Sequence, residues 1–165
     1  MELTDLGNLY MMARDFRVDQ SLLQELSAIA DSALTLDNSM TIFDQNAKTL
    51  HRFKHPGESL CAEVVPLVQA HTFYVVNTPA FLQIGQRGLV ALLKNDCLFI
   101  LEKDLYYAVM KWIDSDLKRK KLDQTLENRR NRFAPFKPFV RFSTMTASEV
   151  RRVSSILLIF ADHQV

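Results

Sequence analysis

The sequence predicts an all-α chain, an array of short antiparallel helices. Three observations carry this. Gly and Pro number only 4 and 5 in 165 residues that are 48% hydrophobic, a balance that suits helices better than turn-rich β-sandwiches. Apolar residues recur at three- and four-residue spacing along most of the chain. No two segments alternate apolar and polar residues as a β-hairpin would.

Leu3, Leu6, Leu9, Tyr10, Ala13 and Phe16 open the chain with helical spacing. Arg17 to Asp19 reads as a break, with Asp19 as N-cap of a second helix carrying Leu22, Leu23, Leu26, Ile29, Ala30 and Ala33. A third helix restarts after Thr35. Asp37 or Asn38 can cap it, and Met40, Ile42 and Phe43 supply an apolar face. "HRFKHPGES" is the clearest loop and the natural place for a boundary between two units. Glu58 to Val76 has a helical rhythm that Pro66 interrupts, so a kink or restart is expected there. Thr78 and Pro79 read as cap and first residue of the next helix. Gly85 and Gly88 allow a tight bend, and short apolar runs flank "KND" at 94–96. A long helix follows, then "LDQTLENRRNRF" with Thr125 as cap. "APFKPF" breaks that helix, and "FVRF" is short and extended or irregular. Thr146 and Ser148 can cap a last helix running through Phe160. That makes eight or so helices.

The longest fully apolar run, Ile156 to Ala161, is far short of the roughly 20 residues a membrane helix needs. The acidic opening "MELTDLGNLY" has no basic-then-apolar pattern, so no secretory leader is expected. Cys61 and Cys97 both sit in apolar segments and read as buried free thiols of a reducing compartment, cytoplasmic or nuclear. Net charge is +1. Residues 1–50 nevertheless hold eight acids and three bases, while the excess of base lies between Lys111 and Arg132.

Three constellations bear on chemistry. His51 and His55 are spaced as two zinc ligands on one helix face would be. Only one cysteine is near, and Pro56 ends any helix at His55, so a solvated loop is favoured over a metal site. Nothing resembles a nucleophile elbow, a phosphate-cradling loop or a zinc-protease helix. "GQRG" at 85–88 lacks the flanks of a phosphate loop, and His71 reads as a core histidine. The expectation is therefore a protein without catalytic residues, cofactor or metal. The third constellation is residues 118–142, where bases interleave with Phe133, Phe136, Phe139 and Phe142. Such a tract could stack on single-stranded nucleic acid. Asp114, Asp116, Asp123 and Glu127 dilute it, and a helix C-terminus favours positive charge in its own right. A solvated helix end with core-facing phenylalanines is the favoured reading.

"DLYYAVMKWIDSDLKRKK", residues 104–121, fits that reading. Leu105, Ala108, Val109, Trp112, Ile113 and Leu117 share one face, while Lys111, Asp114, Lys118 and Lys121 fall opposite. This is an amphipathic core helix with a charged tail, and the chain's only tryptophan sits mid-stripe.

Around this helix, "AHTFYVVNTPAFLQI" at 70–84, "LVALLKNDCLFILEKDLYYAVMKWI" at 89–113 and "NRRN…VRFSTMT" at 128–146 resemble the BACK domain. That domain follows a BTB (Broad-complex, Tramtrack, bric-a-brac) domain in Kelch-type and related proteins. The family pattern falls on Cys61, Phe81, Leu92, Leu93, Asp96, Leu98, Glu102 and Trp112. "NRR" and "RF…MT" look most like the branch in which a PHR-type β domain follows BACK. Residues 1–34 resemble the last two helices of a BTB domain, and 35–55 the three-box segment after it, with Leu36, Asn38 and Ile42 matching; 56–165 would be BACK. The front of the BTB domain has no counterpart in this sequence. Leu101 stands where the family often has a Ser cap, and Pro66, Pro135 and Pro138 fall where its helices usually continue.

The resemblance implies a non-catalytic adaptor that binds other proteins, cullin-3 foremost, and holds a substrate for ubiquitin transfer. Partner contacts are expected on exposed faces of helices 3–16 and 36–50, chiefly at Tyr10, Met12, Phe16, Asn38, Met40 and Phe43. Uncovered apolar surface on the first two helices would also favour self-association. The alternatives are a helical scaffold without cullin binding and, less favoured, nucleic-acid binding through 118–142.

Overall fold

The computed structural model describes the backbone at residues 3–50 and 60–157, and side chains at 5–47 and 60–155. The loop read at 51–59, His51 and His55, and the helix end at Phe160 lie outside the described residues. Among the described residues there are ten α-helices, two 3-10 turns and no strand. They fall into two compact units, 1–99 and 100–165. The division thus lies at Phe99–Ile100, within the span read as BACK, and not at the Pro-Gly loop.

In the first unit, α1 (Leu3–Asp15) and α2 (Gln20–Ser32) pack against each other. α1 ends where Arg17 turns into the left-handed region at φ 52°. Val18 N–H then donates to Ala13 O at 2.8 Å and Arg17 N–H to Arg14 O at 2.9 Å, a Schellman close with Arg where Gly is usual. α2 starts at Asp19, whose carboxylate accepts from Ser21 N–H and Oγ. α3 (Ser39–Leu50) packs against α1, α4 (Val64–Ala70), α6 (Pro79–Gln83) and α7 (Gln86–Leu93). Surrounded on most sides, it buries Ser39, Met40, Ile42, Phe43, Asp44, Asn46 and Ala47. Asn46 Nδ2 donates to Cys61 O at 2.7 Å, and Ser27 Oγ to Leu60 O at 3.0 Å, tying both preceding helices to the entry of α4.

Pro66 neither kinks nor restarts a helix. α4 begins at Val64, so Pro66 sits in the first turn, where a missing N–H removes no intrahelical bond. The break comes later, at His71, between α4 and α5 (Thr72–Val75). His71 is exposed there instead of lying in the core, because it occupies a helix end. α6 opens as expected, with Thr78 Oγ1 accepting Phe81 N–H and Pro79 at the first position. Gly85 and Gly88 both have negative φ, so neither bends the chain through glycine's special freedom. Gly88 instead admits a close approach, since a Cβ there would collide with the Asp44 carboxylate. Asp44 Oδ1 accepts Gly85 N–H at 3.0 Å, placing a buried carboxylate at the N-terminus of α7. After α7, Asn95 Oδ1 accepts from Cys97 N–H and Gln69 Nε2, and Phe99 N–H donates to Gln69 O. This turn leaves Cys97 exposed, contrary to the expectation of two buried thiols; Cys61 is buried.

The second unit is built on α8 (Glu102–Arg119), which packs with α9 (Leu126–Phe133) and α10 (Ala147–Leu157). Its buried face holds Leu105, Tyr106, Ala108, Val109, Met110, Trp112, Ile113, Asp116 and Leu117. α8 ends in a second Schellman close with Lys121 at φ 56° and Leu122 N–H donating to Leu117 O. Thr125 Oγ1 caps α9 through Asn128 N–H. "FVRF" takes the irregular of its two expected forms, running between 3-10 turns at Lys137–Phe139 and Phe142–Thr144.

α8 lacks one feature. Its N-cap, Leu101, is exposed and forms no side-chain cap. Leu101→Ser therefore supplies a side-chain oxygen within reach of the first-turn amides and removes an exposed apolar side chain. A gain of about 1 kcal/mol in chemical denaturation is expected.

α10, by contrast, opens on a complete capping box. Thr146 Oγ1 accepts Glu149 N–H at 3.3 Å, and Glu149 Oε2 accepts Thr146 N–H at 2.9 Å. The Thr146 N–H and hydroxyl, both donating to Oε2, and Lys103 Nζ 3.0 Å from Oε1 lower the Glu149 carboxyl from 4.5 to about 2. A depressed carboxyl stabilises the fold above its unfolded value and loses that contribution as pH falls through the folded one. Acid titration of helicity between about pH 4.5 and 2 should thus have a shallower slope in Glu149→Gln than in the parent chain.

Candidate functional site

α1 carries two apolar stripes. Leu6, Tyr10 and Ala13 point inward and are buried. Leu9, Met12 and Phe16, about a quarter turn round the helix, are 42%, 57% and 76% exposed, and Val18 beyond the Schellman close is 42% exposed. A helix in a globular chain normally needs one apolar stripe. The second brings together three of the exposed large apolar side chains along or at the end of one helix, with exposed Asp5 and Asp15 on the same helix.

The six residues expected to meet a partner are separated by the structure. Met12 and Phe16 are exposed on the outer stripe. Tyr10 is buried on the inner one, a correction that follows from its spacing with Leu6 and Ala13. Met40 and Phe43 are also core residues, because α3 is enclosed by its neighbours. Asn38 is half-buried and occupied. Its Oδ1 accepts Thr35 N–H at 2.8 Å and its Nδ2 donates to Ala33 O at 2.7 Å, so it holds the turn between α2 and α3. Leu9 was read only as part of the first helix's apolar set. Its spacing with Met12 and Phe16, three and then four residues, was the signal that it belongs with them.

Of the eight residues carrying the family pattern, Cys61, Phe81, Leu92, Leu93 and Trp112 are buried. Burial, reinforced by the Asp31 carboxylate, pushes the Cys61 thiol up to about 12, which makes it a packing residue and a poor nucleophile. Glu102 receives Arg141 N–H at 2.8 Å, with the Arg141 guanidinium 3.6 Å away, and so ties the chain after the first 3-10 turn to the start of α8. Leu98 is half-buried, and Asp96 is exposed in the loop after α7.

The basic tract is largely neutralised within its own unit. Arg129 forks onto Asp114 at 2.7 and 3.0 Å. Asp116, nearly buried, gathers Arg119 at 3.2 Å, Lys120 at 3.1 Å and Arg132 at 2.6 Å. The Arg119 and Arg132 guanidiniums also lie over Trp112, 5.9 and 5.3 Å from its ring centroid. Phe136 meets Trp112 edge-on at 5.5 Å, and Phe133 meets Tyr106 at 5.6 Å. Two of the four rings that could have stacked on bases, Phe133 and Phe136, are therefore filling a core, while Phe139 and Phe142 are half-buried. Among the described residues, no group of three or more His, Cys, Asp and Glu side chains is placed to hold a metal ion, and no helix is long and apolar enough to cross a membrane.

Comparison with known proteins adds one positive finding. The family model BACK, described as BTB And C-terminal Kelch, matches residues 54–153, more than half of the 165. No solved structure matches the chain.

Proposed function

The chain belongs to the BACK (BTB And C-terminal Kelch) family, and from that premise we propose that it is a non-catalytic adaptor that docks on cullin-3 through the outer face of α1. The BACK domain occurs in BTB-Kelch adaptors, which makes a protein-interaction scaffold the coarse reading. The observation that carries the finer one is the exposed Leu9–Met12–Phe16 stripe, in the segment that resembles the end of a BTB domain. An adaptor of this kind works by position. It raises the effective concentration of a bound substrate near the ligase without contributing a reactive group.

One observation favours a second reading. Met40 and Phe43, which the resemblance placed on a cullin-facing helix, are internal. A scaffold that joins other proteins without cullin would need neither. Nucleic-acid binding through 118–142 has the least support, given the ion pairs of Arg119, Lys120, Arg129 and Arg132.

Calorimetric titration with the N-terminal domain of cullin-3, at two salt concentrations, tests the proposal. Saturable binding with mild salt dependence is expected, weakened about tenfold or more by Met12→Glu. Lys118→Ala with Lys121→Ala, both exposed, should leave it unchanged. No binding by a folded sample would leave the scaffold reading. Binding that collapses with salt and with the lysine pair would point to phosphate contacts instead.

A further inference from the structure

Helix α10 carries a pattern that the adaptor reading does not use. Arg151, Arg152, Val153 and Ser154 run consecutively, and Arg-Arg-x-Ser occurs once in the sequence. Both arginines are exposed. Glu149, the one acid of α10, is engaged elsewhere, by Thr146 and Lys103.

The helix is also thinly held. Among its described side chains, at 147–155, Val153 alone is buried. The Tyr106 hydroxyl donates to Val153 O at 3.3 Å, a long bond of its kind. Ser154 Oγ and Ser155 Oγ donate back to Val150 O and Arg152 O at 2.6 and 2.8 Å, contacts that loosen a helix rather than extend it. A segment with so little burial opens locally at small cost.

We propose that Ser154 is a phosphorylation site for an arginine-directed protein kinase, and that the phosphate keeps the end of α10 from repacking. Such a kinase takes its substrate as an extended strand. It offers carboxylates to guanidinium groups two and three residues before the reacting hydroxyl. Arg152 and Arg151 hold those two positions for Ser154, and unwinding from Arg151 onward presents them. Ser154 Oγ bonds to the γ-phosphorus of ATP, the bond from that phosphorus to the β,γ-bridging oxygen breaks, and ADP leaves with the electron pair. The hydroxyl proton passes to the kinase's carboxylate base. In folded α10, Ser154 is half-buried and its oxygen lies 2.6 Å from Val150 O. A phosphate of about −1.5 to −2 charge there would repel that carbonyl and face the negative end of the helix dipole. Pairing with Arg151, three residues before, offsets only a small part of this. The proposal does not depend on cullin-3 docking.

Incubation of the whole folded chain with ATP, Mg²⁺ and the catalytic subunit of cyclic-AMP-dependent protein kinase is the test. Intact mass should show one phosphate per chain, and fragmentation should map it to Ser154. Ser154→Ala should abolish it. Arg151→Ala or Arg152→Ala should each lower kcat/KM about tenfold or more, and Ser155→Ala should leave it unchanged. Hydrogen exchange at amides 151–157 should accelerate about tenfold or more in the phosphorylated chain, with α8 still protected. A folded chain that takes up no phosphate would overturn the proposal. Uptake by a peptide of residues 148–158 under the same conditions would then trace the failure to α10 staying closed. Modification mapped to another residue, or indifferent to both arginines, would overturn the site. A phosphorylated chain with unchanged exchange in α10 would overturn the switch.

Discussion

Trp112→Ala should destabilise the second unit by about 3–5 kcal/mol, the range for removing a fully buried large aromatic. Trp112 is completely buried. Its ring has Phe136 edge-on at 5.5 Å and guanidinium groups at 5.3 and 5.9 Å. Alanine would leave a cavity among Phe136 and the inner face of α8. It would also take away the surface over which Arg119 and Arg132 lie while they hold Asp116. Asp116 is itself nearly buried, so loosening its cations exposes the unit to the cost of a poorly compensated internal charge. Against the roughly 5–15 kcal/mol that holds a typical domain, the loss removes a large share. Urea denaturation followed by circular dichroism at 222 nm should show a transition displaced to much lower denaturant. Trp112→Phe should lose less, since it keeps a ring against Phe136. Equal losses in the two variants would mean that ring volume contributes little there.

Much of the local structure was legible because it is written locally. Asp19, Thr78, Thr125 and Thr146 each cap the helix that begins beside them, since a cap needs only its own side chain and the next turn's amides. The buried face of α8 was legible for a similar reason. One apolar stripe opposite a charged one leaves a single way to orient the helix. Placement that depends on neighbours was not legible. The apolar residues of α3 looked like one face among others until α1, α4, α6 and α7 were seen to enclose them. The spacing in α1 shows two apolar stripes, but which of them meets α2 and α3 is decided by packing. Cys97 and His71 lie among apolar residues, yet both sit where a helix or loop turns toward solvent. The division at Phe99–Ile100 carries no Pro or Gly to mark it, whereas the Pro-Gly loop at 56–57 was conspicuous. The outer stripe was thus half visible. The sequence singles out Met12 and Phe16 but reads Leu9 only as one of the helix's apolar set, and it places Tyr10 on the outer face although packing buries it.

The same substitution at two helical glycines should give opposite results, and the contrast isolates a packing device of the first unit. In a helix, Gly→Ala ordinarily stabilises by up to about 1 kcal/mol. At Gly7 the three atoms nearest to the added methyl all belong to the Gln45 side chain, at 3.1–3.2 Å. That side chain is flexible and half-exposed, so it can move aside, and Gly7→Ala should be neutral or mildly stabilising. At Gly88 the methyl would run into the Asp44 carboxylate, with Asp44 Cγ at 3.1 Å and Cβ at 3.3 Å. Asp44 cannot withdraw freely. It is buried on the central helix, and its Oδ1 accepts Gly85 N–H. Either α7 moves off α3, or the carboxylate leaves the N-terminus of α7 and goes unsatisfied in the core. Both routes cost more than helix propensity returns, and a net loss of about 1–3 kcal/mol is expected. Asp44→Ala should relieve the clash but lose the carboxylate, so the double variant Asp44→Ala/Gly88→Ala should be less destabilised than the sum of the two singles. Thermal or urea denaturation of the four chains measures that coupling directly. Strict additivity would mean that the two positions do not meet, and the close packing of α3 on α7 would then need another explanation.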